Sequence, residues 1–122
     1  MENINELIAE FIQNVEVSNI AFDYADKKAK KRHNLAIDKY RSIAKKLSNG
    51  TNTVCDEFFS LLHSPNENIA VACAVCVIEI MESSPEQYSS AVKRIEEYVK
   101  NTSNKIKALG FEIYLKKLTK WN

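Results

Sequence analysis

Glycine and proline are scarce here, two of each in 122 residues. A sheet with many tight turns needs more of both, so the scarcity favours long helices. It also leaves little from which to build a glycine-rich backbone cradle for a nucleotide. No run of eighteen apolar residues occurs, so no membrane-spanning helix is expected. Cysteine is limited to three, an odd and scattered set that describes no disulfide framework and fits a reducing, cytoplasmic setting. The opening Met1-Glu2-Asn3-Ile4-Asn5-Glu6 is acidic and lacks the basic start and apolar stretch of a secretory leader. Phosphate-loop, HExxH, GxSxG and paired-acid motifs are all missing. The chain therefore reads as no enzyme, with no metal and no cofactor.

What is present is an ordinary globular composition, 45% hydrophobic and 27% charged. At this length a single domain over 1–122 is expected. The net charge of +1 conceals strong segregation. Residues 1–22 carry Glu2, Glu6, Glu10 and Glu16 without one Lys or Arg. Residues 23–50 hold nine bases against three acids, residues 51–99 eight acids against Lys93 and Arg94, and the remainder six bases against Glu112.

Apolar periodicity predicts about six helices. Ile4, Leu7, Ile8, Phe11, Ile12 and Val15 form one stripe. Ser18 or Asn19 is expected to cap a second, long helix with Phe22, Ala25, Ala29, Ala36, Tyr40, Ile43 and Leu47 inward, ending on a left-handed Gly50. These two make an N-terminal hairpin over 1–50. A short helix follows Thr51-Asn52-Thr53, with Val54, Phe58, Leu61 and Leu62 inward. Residues 66–82 are apolar nearly all round, as in a helix buried on several sides. Ser84, Pro85 and Gln87 spell a capping box, with Ala91, Val92, Ile95 and Val99 facing in. A final helix over about 104–120 is expected to bury Ile106, Leu109, Ile113, Tyr114 and Leu118.

A shift of 37 residues sets Phe58 on Ile95, Leu62 on Val99, Ile69 on Ile106, Cys73 on Gly110 and Cys76 on Ile113. Residues 51–122 thus read as two copies of a helical hairpin, a period in the range of solenoid units. The stretch Phe58-Phe59-Ser60-Leu61-Leu62-His63-Ser64-Pro65-Asn66-Glu67-Asn68-Ile69-Ala70-Val71-Ala72-Cys73-Ala74 resembles a HEAT repeat, although Val71 and Val75 stand where such repeats carry polar inner residues. The whole chain resembles a family of small bacterial helical proteins of unassigned function, similar to some toxin-immunity proteins. That resemblance implies an all-α fold with HEAT-like hairpins. It also implies a binder that blocks a cognate toxin domain.

Cys73-x-x-Cys76 lies mid-helix with no second pair and no histidine beside it, so both read as small core hydrophobes rather than a redox or zinc motif. His33 and His63 have no carboxylate at ligand spacing. Among the acids, Glu79, Glu82, Glu86 and Glu97 are the candidate contacts to a basic protein partner, such as a toxin domain. The basic helix 27–46 admits two readings besides a solvated side paired with the first helix: a protein-partner surface and a nucleic-acid surface. Self-association through the fourth helix and the aromatics Phe111, Tyr114 and Trp121 is a third class of function.

Overall fold

The computed structural model describes residues 3–50, 52–81 and 83–121, with the side chains of all but 52–54 and 119–121. Among these the chain is all-helical: α1 (Ile4–Ser18), α2 (Lys27–Ser48), α3 (Asn52–Phe59) running into a 3-10 turn (Ser60–His63), α4 (Glu67–Glu79), α5 (Pro85–Asn101) and α6 (Lys105–Trp121).

Helix starts follow local hydrogen-bond chemistry. Asn3 accepts from the Asn5 amide, Asp26 from Lys28 and Ala29, and Asn66 from Asn68 and Ile69. The capping box at Ser84 and Gln87 forms as expected, with Pro85 in the first helical position. Two boundaries differ from the sequence reading. The second helix begins at Asp26, not Ser18 or Asn19, because Asn19 closes α1 while Asp26 satisfies two free amides of α2. Phe22 and Ala25 therefore lie in the connecting loop. Gly50 is not left-handed. The end of α2 is closed instead by tight bonds from the Asn49 amide to Lys46 and from the Gly50 amide to Leu47. Thr51 lies outside the described residues, as does the Val54 side chain.

The core is centred on Phe11, fully buried, whose ring meets Tyr40 edge-on at 5.4 Å and Phe58 at 4.9 Å. One ring thus ties α1, α2 and α3 together. Leu7, Val15, Ile43, Ala44 and Leu47 complete the N-terminal side. From the other side α4 contributes Ile69, Cys73, Ala74, Cys76 and Val77, consistent with its lack of a polar stripe, and α5 contributes Ala91 and Ile95.

The two later hairpins repeat, but not with one period. Phe58 and Ile95 are both fully buried, as the 37-residue shift requires. Past the turn the period is 38. The Asn66 amide is bonded to the Ser64 hydroxyl and the Asn104 amide to that of Thr102, while Asn66 and Asn104 accept from amides of α4 and α6. Ala70 and Ala108 are the buried pair, and Cys73, Cys76 and Val77 fall on Phe111, Tyr114 and Leu115. The extra residue has a geometric origin. The first hairpin reaches its turn through a 3-10 segment, which rises about 2.0 Å per residue against about 1.5 Å in the α-helical end of α5, so it covers the same length with one residue fewer.

That single residue rotates α6. Ile106, Leu109 and Ile113, expected inside, are 86%, 58% and 49% exposed. Tyr114 faces the core as expected, and Ala108, Phe111 and Leu115 join it in place of the other three, with Phe111 edge-on to the buried Tyr98 of α5 at 5.6 Å. Leu118 is half-buried.

Candidate functional site

The four acids singled out in the sequence have separate fates. Glu79, at the end of α4, is held in place: Arg41 of α2 reaches Oε1 at 3.1 Å and the Tyr114 hydroxyl of α6 donates to Oε2 at 2.7 Å. Glu82 lies outside the described residues. Glu86 and Glu97 are exposed on α5, eleven positions and so about 16 Å apart along the helix. They share their face with Glu96, Lys93 and Lys100, all exposed, which makes that surface mixed in charge. Arg94 is drawn inward, its Nε donating to the Leu62 carbonyl at 3.1 Å, with Glu97 3.9 Å from Nη1. The sequence held no local sign of this tie.

The cysteines sit as small apolar side chains. Cys73 and Cys76 are fully buried, and the Cys73 thiol lies 3.4 Å from the Phe58 carbonyl. Burial pushes the Cys73 thiol well above its ordinary value and Cys76 up to about 12. Cys55 is half-buried against the Leu47 carbonyl, its pKa also raised by burial and by Asp56. No described group of three or more His, Cys, Asp or Glu could hold a metal ion. No described helix is long and apolar enough to cross a membrane.

The basic run 27–46 divides in two. Lys39 and Lys46 line a groove of about 450 Å³ with Glu10, Gln13, Asn14 and Val17 of α1, and Arg41 is committed to Glu79. Lys27, Lys28, Lys30, Lys31 and Arg32 are exposed, and among the described residues none of their charged groups lies within 4 Å of a carboxylate. The expected pairing with Glu6, Glu10 and Glu16 of α1 is absent for these five.

The surface most unlike ordinary solvated protein is the outer face of α6. Ile106, Leu109 and Ile113 follow helical spacing, and Ile106 leaves little of its side chain in contact with anything. Gly110 lies between them on the same face, and a Cβ placed there meets nothing within 4 Å. The patch is therefore both apolar and low enough at its centre for a neighbouring backbone to come close. Lys105, Lys116 and Lys117 stand exposed around it, with the exposed Glu112 beside Lys105 and Lys116 on one flank. At its start the Lys107 ammonium donates to Asn19 Oδ1 at 2.9 Å, tying α6 to the end of α1. The Trp121 side chain is outside the described set.

Compared with known proteins, the chain matches no family model, no curated protein and no solved structure.

Proposed function

We propose that this chain is a protein-binding module that docks its partner on the outer face of α6. The observation that carries the reading is the Ile106–Leu109–Ile113 stripe, three aliphatic side chains presented to water with a glycine among them. Leaving such residues exposed is unfavourable by about 1 kcal/mol or more apiece relative to burial. A partner that covers them recovers this. The lysine frame selects for a partner whose apolar ridge is rimmed by acids, through steering and through rejection of basic competitors.

The most specific form of the reading is the neutraliser implied by the resemblance: an immunity protein that covers the working surface of a bacterial toxin domain and acts by occlusion. The α6 face favours a toxin surface with an acidic rim. A basic domain would have to use Glu86, Glu96 and Glu97, where Lys93 and Lys100 weaken the attraction.

The test is a photo-crosslinking residue placed at position 109 or, for comparison, at position 90 on α5, in the source cell. One stoichiometric partner captured from position 109 alone, toxic when expressed without this chain and harmless with it, supports the full reading. Capture only from position 90 moves the interface to α5. Adducts of the chain with itself would make α6 a self-association surface.

A further inference from the structure

The loop between α1 and α2 and the first turns of α2 form a tip that stands clear of the core. None of residues 27–35 is buried, and burial in α2 begins at Ala36. The groove partners Val17 and Lys39 show why: α1 ends while roughly eight residues of α2, about 12 Å of helix, still remain unflanked by it. Because this segment has no neighbour over most of its circumference, its cations need not share one narrow face. At about 100° per residue, Lys27, Lys28, Lys30, Lys31 and Arg32 span an arc of roughly 200°. Ala29, His33 and Ala36 fall on the remaining side, where the loop folds back.

The loop brings aromatic rings to that cationic helix. The Phe22 ring centroid lies 4.8 Å from that of His33 and 4.7 Å from that of Tyr24, both with tilted planes. Tyr24 is the outer ring of this three-member series and is 74% exposed. The two acids of the tip, both exposed, cap backbone amides. Asp23 accepts from the Ala25 amide at 2.9 Å, and Asp26 accepts from Lys28 and Ala29. Neither carboxylate bridges to a cation of the tip.

We propose that this tip is a binding site for single-stranded nucleic acid, with the five cations of α2 on the phosphates and Tyr24 as the stacking platform for a base. Unpaired cations on an open helix bind the backbone by counterion release. A ring that is already supported from behind takes a base at little ordering cost. Only a strand with unstacked bases can use Tyr24, so duplex is disfavoured. The site shares no residue with the α6 surface, so it stands or falls separately from the function proposed above.

The experiment is fluorescence anisotropy of the full chain with a labelled oligo-dT of about 16 nucleotides, over salt from about 50 to 200 mM. The expected log–log salt slope is about −3, and Gln substitution of Lys27, Lys28, Lys30 and Lys31 together lowers it by about 0.7 per charge. Tyr24→Ala weakens binding about tenfold, whereas Tyr24→Phe keeps it within about twofold. Lys93→Gln with Lys100→Gln, on exposed α5, leaves it unchanged. The proposal is overturned if no binding is seen at the lowest salt, if duplex of equal length binds as tightly, or if Tyr24→Ala has no effect. Competition by heparin or an acidic peptide as effective as unlabelled oligo-dT would equally overturn it, showing a surface for anions in general.

Discussion

The Tyr114 hydroxyl donates a 2.7 Å hydrogen bond to Oε2 of Glu79, across 35 positions of sequence. The other carboxylate oxygen holds Arg41 at 3.1 Å, so one side chain joins α2, α4 and α6. Arg41 and Glu79 are each about one-third exposed, 36% and 35%, and an ion pair of that kind contributes about 0.2–1 kcal/mol. The phenol bond adds about as much again. Glu79→Gln and Tyr114→Phe are each expected to cost about 1 kcal/mol. In a double-mutant cycle followed by urea unfolding they couple by about 0.5 kcal/mol or more. Strict additivity would show the contact to be energetically idle.

Alkaline pH is expected to loosen this fold. Burial is the main cause that raises the pKa of Tyr40, Cys73 and Tyr114, and that pushes Cys76 up to about 12; at Tyr114 the Glu79 hydrogen bond raises it further. The unfolded chain releases these protons near the ordinary values of 9.0 for a thiol and 10.0 for a phenol, while the folded chain keeps them. Their contribution is thus complete below about pH 9 and declines as pH climbs towards the folded values. Thermal unfolding followed by circular dichroism is expected to give a steady Tm up to about pH 8.5 and a marked fall by about pH 10.5. Tyr114→Phe removes part of that fall. A Tm that holds at alkaline pH contradicts the assignment.

The outer face of α6 and the core respond differently to truncation. Ile106→Ser is expected to change stability by no more than about 0.5 kcal/mol, because its side chain is in water already. Phe11→Ala, at the meeting of three helices, costs about 3–5 kcal/mol. Urea midpoints of the two variants settle the comparison. A large loss for Ile106→Ser would mean that this residue is packed, and the docking face would be lost with it.

The three thiols are graded in access. Cys55 is half-buried, whereas Cys73 and Cys76 are sealed, and all three have raised pKa values. At neutral pH, alkylation read by mass spectrometry is expected to mark Cys55 slowly and the other two only on unfolding. Prompt labelling of Cys73 would refute the packing of α4 against the core.

The helices and most of their inward faces were legible because local chemistry decides them. Ser84-Pro85-Glu86-Gln87 states a helix start by itself, and α4 announces its burial by having almost no polar residue to expose. What stayed hidden depended on distant partners. α6 has apolar residues on two faces, and matching like with like selects Ile106, Leu109 and Ile113, the stronger stripe. The choice is made instead by one residue of rise, lost in a 3-10 turn some forty positions earlier. Glu79 read as a free contact residue since nothing near it in sequence predicts Arg41 or Tyr114. The acids of α1 and the bases of early α2 looked complementary, but their helices are antiparallel and α1 stops before the cations begin.

The Lys107–Asn19 bond has a consequence for traffic at the surface. It sets the first turn of α6 beside the root of the cationic tip, so the two exposed regions are neighbours with a shared frontier. A strand lying along the tip and a protein seated on Ile106 would meet there. Whether they crowd or welcome each other, the effect is mutual by thermodynamic linkage: each changes the other's affinity by one and the same factor. With both proposed sites occupied, capture of one ligand would become conditional on the presence of the other.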